Sequence, residues 1–430
     1  MIILKCIEKI RDKDNNITNY RLQDTYGSVK VVSAKELKEA IRNQQVKCTN
    51  LVLTSDNRLV DKTSNLAEKD DVTLKTIKKF RVLHPGKDTI ELKDAIYRIK
   101  DNQIILERCL VTEGTFIIPK FVTSLISEFQ SVSAFRNCTK LKLINKSSIN
   151  NMSYMFYYCP YLTELDMSEF EVQNVTTMED MCYGCGKLTK VNLEGLNAPS
   201  LTNMSGMFVD CGSLREINLN NIKAGEIRDL SHLFHNCLVL ESIDISSLHT
   251  DKVRDMTCMF DGCKSLKELD VTSMNTSNVV TMQKMFADCE QLVELNLSKF
   301  NTLKVEDMSF MFAECNSLRN LIISSFRTPS LITMSFMFYR CESLESIDLS
   351  RFNTSKVLNM ESMFAECRML RKVDIRSFNT HEVYNMYHMF YRCRLLSILK
   401  ISKGFEIKTD LSEIFYGCEN IIKSIIKGGI

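Results

Sequence analysis

The chain has 430 residues, 44% of them hydrophobic, and its 55 Lys+Arg against 53 Asp+Glu leave a formal net charge of +2. So neutral a balance excludes the global field of a nucleic-acid- or membrane-surface-binding protein, and no apolar run of about 18 residues is present to span a bilayer. A compact globule of this length would divide into two or three domains; an internal repeat removes that expectation, because a solenoid grows by adding turns.

Residues 2–10 alternate as a strand, the DKDNN turn follows, and strands near Thr18 to Leu22 and Val29 to Val32 flank Gly27. Ser33 stands three residues before Glu36 and opens a helix with a capping box, its apolar face carried by Leu37, Ala40 and Ile41. Cys48 to Leu53 alternates again, with Leu59 and Val60 as an edge, so residues 1–62 read as a small α+β domain. Residues 63–114 read as linker and N-terminal capping segment. The stretch 63–75 is polar, and the basic cluster Lys75, Lys78, Lys79 and Arg81 reads as a solvated face. IELKDAIYRIK reads as a helix and QIILERCLV as a strand.

From there a period dominates. Cysteine recurs at 159, 185, 211, 237, 263, 289, 315, 341, 367 and 393, always 26 residues apart, with Cys138 before and Cys418 after. Counting from Cys341, apolar residues follow at Leu344, Ile347, Leu349, Phe352, Val357, Met360, Met363 and Phe364. Such a period means a solenoid whose turns bury their apolar faces on one another. Residues 115–418 hold about 11 turns, with 419–430 closing the C-terminal end.

Within a turn, CxxLxxLxL supplies a short strand with Leu344, Ile347 and Leu349 inward. The residue before the first methionine is Asn151, Thr177, Asn203, Asp229, Asp255, Thr281, Asp307, Thr333, Asn359 or Asn385. All ten are N-cap types, so MxxMF reads as a short helix or 3₁₀ turn with M, M, F and C inward at i, i+3, i+4 and i+7.

The AFRNCTKL segment resembles the BspA-like leucine-rich repeat, and MxxMFxxCxxLxxLDLSxFNTxxV, as in Met285 to Val305, resembles the 26-residue surface-protein variant of that family. The resemblance implies an α/β solenoid, a right-handed coil of leucine-rich-repeat type; several members of that family are bacterial surface adhesins. This chain shows no signal-peptide layout at its start, so the cytoplasm is the expected compartment, with cell surface or secretion as the alternative.

Candidate chemistry is sparse. The cysteine ladder offers one thiol per turn and no CxxC pair, which suits a buried weak donor better than a metal or a disulfide. The 22 methionines keep core spacing. His232 and His235 form HxxH, half a zinc site at most, with no completing ligand near in sequence. No nucleophile, paired acid and base, or phosphate loop is recognisable, so no enzyme activity and no cofactor are expected.

The outward strand face carries an acidic, polar stripe. Its candidate partner-binding residues are Glu164, Asp166, Glu216, Asp244, Glu268, Asp270, Glu294, Asp348, Asp374, Lys372 and Arg376. Residues seven after each cysteine are also those an Asp or Ser would occupy to bond the local backbone; residues five after it are freer. The expected function is a non-enzymatic interaction module for a basic or polar protein partner, without nucleic acid or membrane span. The alternative is a BspA-like surface adhesin. A toxin or enzyme with its activity in the N-terminal domain is the least favoured.

Overall fold

The structure, a computed structural model, describes residues 2–11, 17–24, 29–42, 46–48, 51–53, 59–61, 88–100, 103–119, 121–122, 124–125, 133–145, 149–219, 222–402, 404–408 and 410–421. The linker at 63–75, the basic cluster Lys75 to Arg81, and residues 422–430 of the terminal closing segment lie outside the described residues.

The N-terminal elements are β1 (Ile2–Arg11), β2 (Ile17–Asp24), β3 (Val29–Ser33), α1 (Ala34–Arg42) and β4 (Val46–Cys48). They form one sheet of order β3-β2-β1-β4, with β4 parallel to β1 and the other pairs antiparallel. The capping box is made in full: Glu36 N donates to Ser33 Oγ at 3.2 Å, and Ser33 N to Glu36 Oε2 at 3.1 Å. β5 (Leu51–Leu53) and β6 (Leu59–Asp61) pair as a hairpin.

IELKDAIYRIK is not a helix. It folds as β7 (Thr89–Glu91) and β8 (Ala95–Lys100), continued by β9 (Gln103–Cys109) into an antiparallel meander. Ala95, Tyr97 and Ile99 are buried at a period of two, and Leu92 N donates to Ala95 O at 2.9 Å across the turn. The apolar residues of this stretch fit both periods; pairing with β9 decides for the strand.

The solenoid opens with a parallel sheet of β10 (Glu113–Ile118), β11 (Lys140–Asn145), β12 (Glu164–Phe170) and β13 (Lys190–Asn192). It continues as short parallel pairs in register, Glu216 with Ser242, Glu294 with Asn320, and Ser346 with Lys372. A second ladder of single bridges joins the ten cap-type residues from Asn151↔Thr177 to Asn359↔Asn385. One contiguous apolar core extends from Ile90 to Ile421.

The MxxMF segment departs from the expected helix or 3₁₀ turn. In Met152 to Cys159, Met155 N, Tyr157 N and Cys159 N bond three residues back within their own turn. Met152 N, Tyr154 N, Phe156 N and Tyr158 N instead donate to Thr177, Glu179, Met181 and Tyr183 O of the next turn, at 2.7–3.0 Å. Tyr154 and Tyr158 have φ of 60° and 48°, the left-handed third residue of a type II turn, so the turns closed by Met155 N and Cys159 N are of that kind, joined by the turn that Tyr157 N closes. The same two positions are left-handed in Phe310 and Glu314, at 59° and 60°. A left-handed non-glycine residue costs about 1–2 kcal/mol, and the inter-turn hydrogen bonds offset it. The cap residues keep a capping role: Asn151 Oδ1 accepts from Ser153 N at 2.8 Å, and Asn385 Oδ1 from Tyr387 N at 3.0 Å.

In the last repeat the equivalent segment does form a helix, α2 (Leu411–Ile414), with Asp410 as N-cap accepting from Ser412 N. Phe415 N closes on Leu411 O, while Ile414 O and Tyr416 O still accept from Phe390 N and Arg392 N of the preceding turn. The helix buries the last three positions of that face, Ile414, Phe415 and Cys418, and leaves Leu411 at the first one exposed; it differs from the turn chain in where the N–H groups go.

Three ladders fill the core. Phe208, Phe234, Phe260, Phe286, Phe312, Phe338, Phe364, Phe390 and Phe415 stack at 5.2–5.9 Å between centroids. The FNT threonines are buried, and each bonds both ways to the next turn, as Thr302 Oγ1 does to Arg327 O at 2.7 Å and from Arg327 N at 2.9 Å. Each repeat cysteine from Cys185 on donates its thiol one turn back, as Cys341 Sγ to Phe312 O at 3.0 Å and Cys367 Sγ to Phe338 O at 2.9 Å. Burial pushes the thiols of Cys211, Cys263, Cys289 and Cys341 well above the usual range, so they stay protonated donors. Alkylation of the native protein is therefore expected to spare the twelve repeat cysteines, whereas unfolding without reductant exposes all twelve to reagent. Mass spectrometry that found them paired would overturn the ladder.

Candidate functional site

The strand face is the longest regular surface of the solenoid. Along it Leu165, Ile217 and Leu295 point into the core while Glu216, Asn218, Glu294 and Asn296 point out, the alternation a strand imposes. The two outward columns behave differently.

The aspartates seven after the repeat cysteines are engaged by their own turn. Asp166 accepts from Ser168 N at 3.0 Å, Asp244 from Ser246 N at 3.1 Å, and Asp270 from Thr272 N at 2.9 Å. Asp348 accepts from Ser350 N at 2.9 Å. The Thr272 hydroxyl and N–H hold Asp270 below the usual carboxylate range, and the Ser350 hydroxyl and N–H do the same for Asp348. Asp374 is only 5% exposed: Arg376 covers it with Nε and Nη2, each at 2.9 Å, and Lys400 Nζ stands 3.7 Å away. Asp374 thus faces Arg376 more than solvent, while Arg376 itself stays exposed, a pairing that the spacing of two residues along a strand conceals.

The residues five after each cysteine are presented to solvent. Glu216, Glu268, Glu294 and Lys372 are exposed, and Lys372 lies between Ser346 and Ile398 in the ladder. Glu164 is the exception, bound by Lys140 Nζ at 2.6 Å, which holds its carboxyl below the usual range.

Lys140 and Lys142 belong to β11, before the regular period begins, and the stripe read from the repeat missed them. They turn the first three strands into a mixed patch in which Lys140, Glu164 and Lys190 alternate across the ladder. Lys142 Nζ pairs with Glu169 at 2.5 Å, and Asn192 Nδ2 donates to Asp166 at 3.1 Å. Gly114, Thr115 and these side chains line a surface groove of about 290 Å³. The groove begins on β10, which pairs with β11 in register.

On the opposite, turn-side face the HxxH pair acquires a companion. Cys258, from the next turn, brings its thiol to within 4.8 Å of ring nitrogens of both His232 and His235. Sequence distance hid it, since Cys258 is 26 residues from His232 and lies outside the repeat-cysteine column. Burial, then the neighbouring His235, lowers the His232 pKa. Burial and the Asp261 carboxylate push the Cys258 thiol up to about 12.

Five overlapping segments of the chain, residues 123–242, 202–320, 228–345, 288–404 and 319–427, match one family, described as Mycoplasma protein of unknown function, DUF285. The chain belongs to the DUF285 family. Two of the DUF285 matches begin one period apart, at 202 and 228, as expected where one turn superposes on the next. No curated protein matches. Among solved structures, a leucine-rich repeat protein from Eubacterium ventriosum is 13% identical over 73% of this chain and 90% of its own, with a TM-score of 0.34. A leucine-rich repeat protein of Leptospira interrogans is 14% identical over 70% and 77%, with a TM-score of 0.24. The TLR13–ssRNA13 complex is matched at 17% identity over 71% of this chain, with a TM-score of 0.27; the chain spans 45% of that receptor's length. The DUF285 solenoid is of leucine-rich-repeat type, and its own ladders and 26-residue register carry that assignment.

Proposed function

We propose that this chain is a non-enzymatic protein-interaction module that reads an extended partner along its strand face. The carrying observation is the difference between the two outward columns. One is absorbed in bonds the fold needs, and the other, through Glu216, Glu268, Glu294 and Lys372, is left to solvent at a regular spacing. Solenoids present such surfaces to long partners. The acidic middle favours a basic or donor-rich segment there, and the groove at Lys140, Glu164 and Lys190 offers both signs of charge to one end of it. In this reading 1–62 is a separate small domain, 63–114 leads into the solenoid, and 115–418 carries the binding surface. A reducing compartment, the cytoplasm, suits a core that uses an S–H donor in every turn, since oxidation would remove the donor. A surface adhesin of BspA-like type would use the same face in another compartment.

The test begins with capture of a partner from the source organism's lysate on the immobilised chain. For the captured partner, affinity falls as salt rises, because exposed charges are screened over about 8 Å at physiological ionic strength. Glu216→Lys, Glu268→Lys and Glu294→Lys together reduce affinity at least about tenfold, or roughly 1.4 kcal/mol. Thermal melting barely moves, because exposed charges contribute little to folding. Glu226→Lys with Glu306→Lys, exposed but off the strand face, is the control. Binding lost in the control and kept in the triple variant would place the site elsewhere.

A further inference from the structure

We infer that the turn-side face holds a zinc-type metal site built from His232, His235 and Cys258, with Asp261 as the fourth ligand. The four residues occupy a two-by-two block of the repeat. His232 and Cys258 stand two residues after Leu230 and Met256, equivalent positions of adjacent turns, and His235 and Asp261 five residues after them. Elsewhere those two columns hold residues such as Tyr154, Phe310 and Phe336, or Val209, Ala313 and Ala365; the first also holds Asp180, His388 and Glu413, whereas the second holds no His, Cys, Asp or Glu outside this block. The ligand types therefore converge where the scaffold brings two consecutive turns together, and nothing in the core repeat requires them.

The geometry suits a tetrahedral ion. Ligand atoms of His232, His235 and Cys258 all lie within 4.8 Å of one another, and His235 Nδ1 is 3.2 Å from Asp261 Oδ2. With metal–nitrogen and metal–oxygen bonds of about 2.0 Å, the edge of a tetrahedron is about 3.3 Å, so the His–Asp edge is already in place. The wider separations close by side-chain rotation. His235 Nδ1 is buried and makes no hydrogen bond among the described residues, because its approach to Asp261 is poorly aligned for one. A metal would account for that orphaned nitrogen, which a buried polar group otherwise pays to keep.

The backbone beneath is held firmly, as a site needs. His232 N, Phe234 N and Asn236 N donate to Thr257, Met259 and Asp261 O at 2.7, 3.0 and 2.8 Å. His232 and Cys258 share the left-handed conformation, at φ of 56° and 54°, so their side chains leave the ladder in parallel. On binding, Cys258 gives up its thiol proton to solvent and the thiolate coordinates the ion. Four protein ligands leave no open position, so the site is structural: it pins the two turns together from outside the core.

The test uses the full chain stripped of metal by chelation and titrated with Zn²⁺ and Co²⁺ alone. One Zn²⁺ per chain is expected, with a raised melting temperature, since a ligand bound only by the native state stabilises it. Co²⁺ is expected to give the intense visible bands of a tetrahedral ion and a thiolate charge-transfer band. Cys258→Ser removes the thiolate band and His232→Ala abolishes binding, while Asp261→Asn weakens it by removing the anionic oxygen ligand. His388→Ala and Cys182→Ser, which lie in other turns, leave binding unchanged. Because Cys258 sits in a column that also accepts Lys284 and Ser362, its serine variant should fold, and the metal-free melting curve verifies this. A weak octahedral Co²⁺ spectrum, or Zn²⁺ uptake equal in wild type and in Cys258→Ser, overturns the site.

Discussion

Phe364→Asp is expected to unfold several turns at once and to remove the cooperative thermal transition of the solenoid's C-terminal turns. Phe364 is fully buried and stacks between Phe338 and Phe390 at 5.3 and 5.2 Å. Deleting a buried phenylalanine side chain alone costs about 3–5 kcal/mol. An unpaired carboxylate in its place adds a desolvation penalty of several kcal/mol, because no Lys or Arg is buried among the described residues to receive it. Both neighbouring turns lose a stacking partner, and in a quasi-one-dimensional structure each interface supports the next. Met363→Asp acts through the same core and is expected to follow. Circular dichroism against temperature, with limited proteolysis to map the opened turns, would show the loss. Unchanged melting in either variant would mean that the M, M, F and C face is not inward.

Thr302→Val is expected to cost about 2–5 kcal/mol, although it preserves shape and removes no apolar contact. The hydroxyl is 1% exposed and serves Arg327 twice, donating to its carbonyl and accepting from its N–H. Valine leaves a buried donor and a buried acceptor without this partner, each worth about 1–3 kcal/mol. Thr202→Val is the comparison. Thr202 Oγ1 also bonds the neighbouring turn, to Thr176 O at 3.2 Å, but from the surface, where water replaces it and the effect is within about 0.5 kcal/mol. Urea denaturation of the two variants separates the cases, and equal losses would show that the FNT threonines are not the inter-turn clamp.

How these predictions could be framed shows which parts of the chain are legible from its residues. The cysteine period states the solenoid outright, and apolar residues at fixed places within it name Met363 and Phe364 as core. The capping box at Ser33 and Glu36 and the strands β1 to β3 are equally local and were made as read. IELKDAIYRIK was misleading because its apolar residues satisfy two periods, and the partner that decides, β9, lies outside the stretch itself. The strand-face columns looked alike in sequence. Only atomic placement shows Asp244 and Asp270 bonded to their own turns while Glu216 and Glu268 stay outside.

The sequence by itself determined the solenoid, its period, its number of turns and its inward face, because burial repeats at a fixed residue interval and needs no knowledge of neighbours. Tertiary structure alone decided three things. It replaced the short helix by a chain of overlapping tight turns, because alternate N–H groups find carbonyls in the adjacent turn, and it kept helix at Leu411–Ile414. It gave the threonine and cysteine columns their meaning as donors to groups one turn away. It also placed Cys258 and Asp261 beside His232 and His235. In each case the deciding partner lies about 26 residues away in sequence and one strand spacing, about 4.8 Å, away in space.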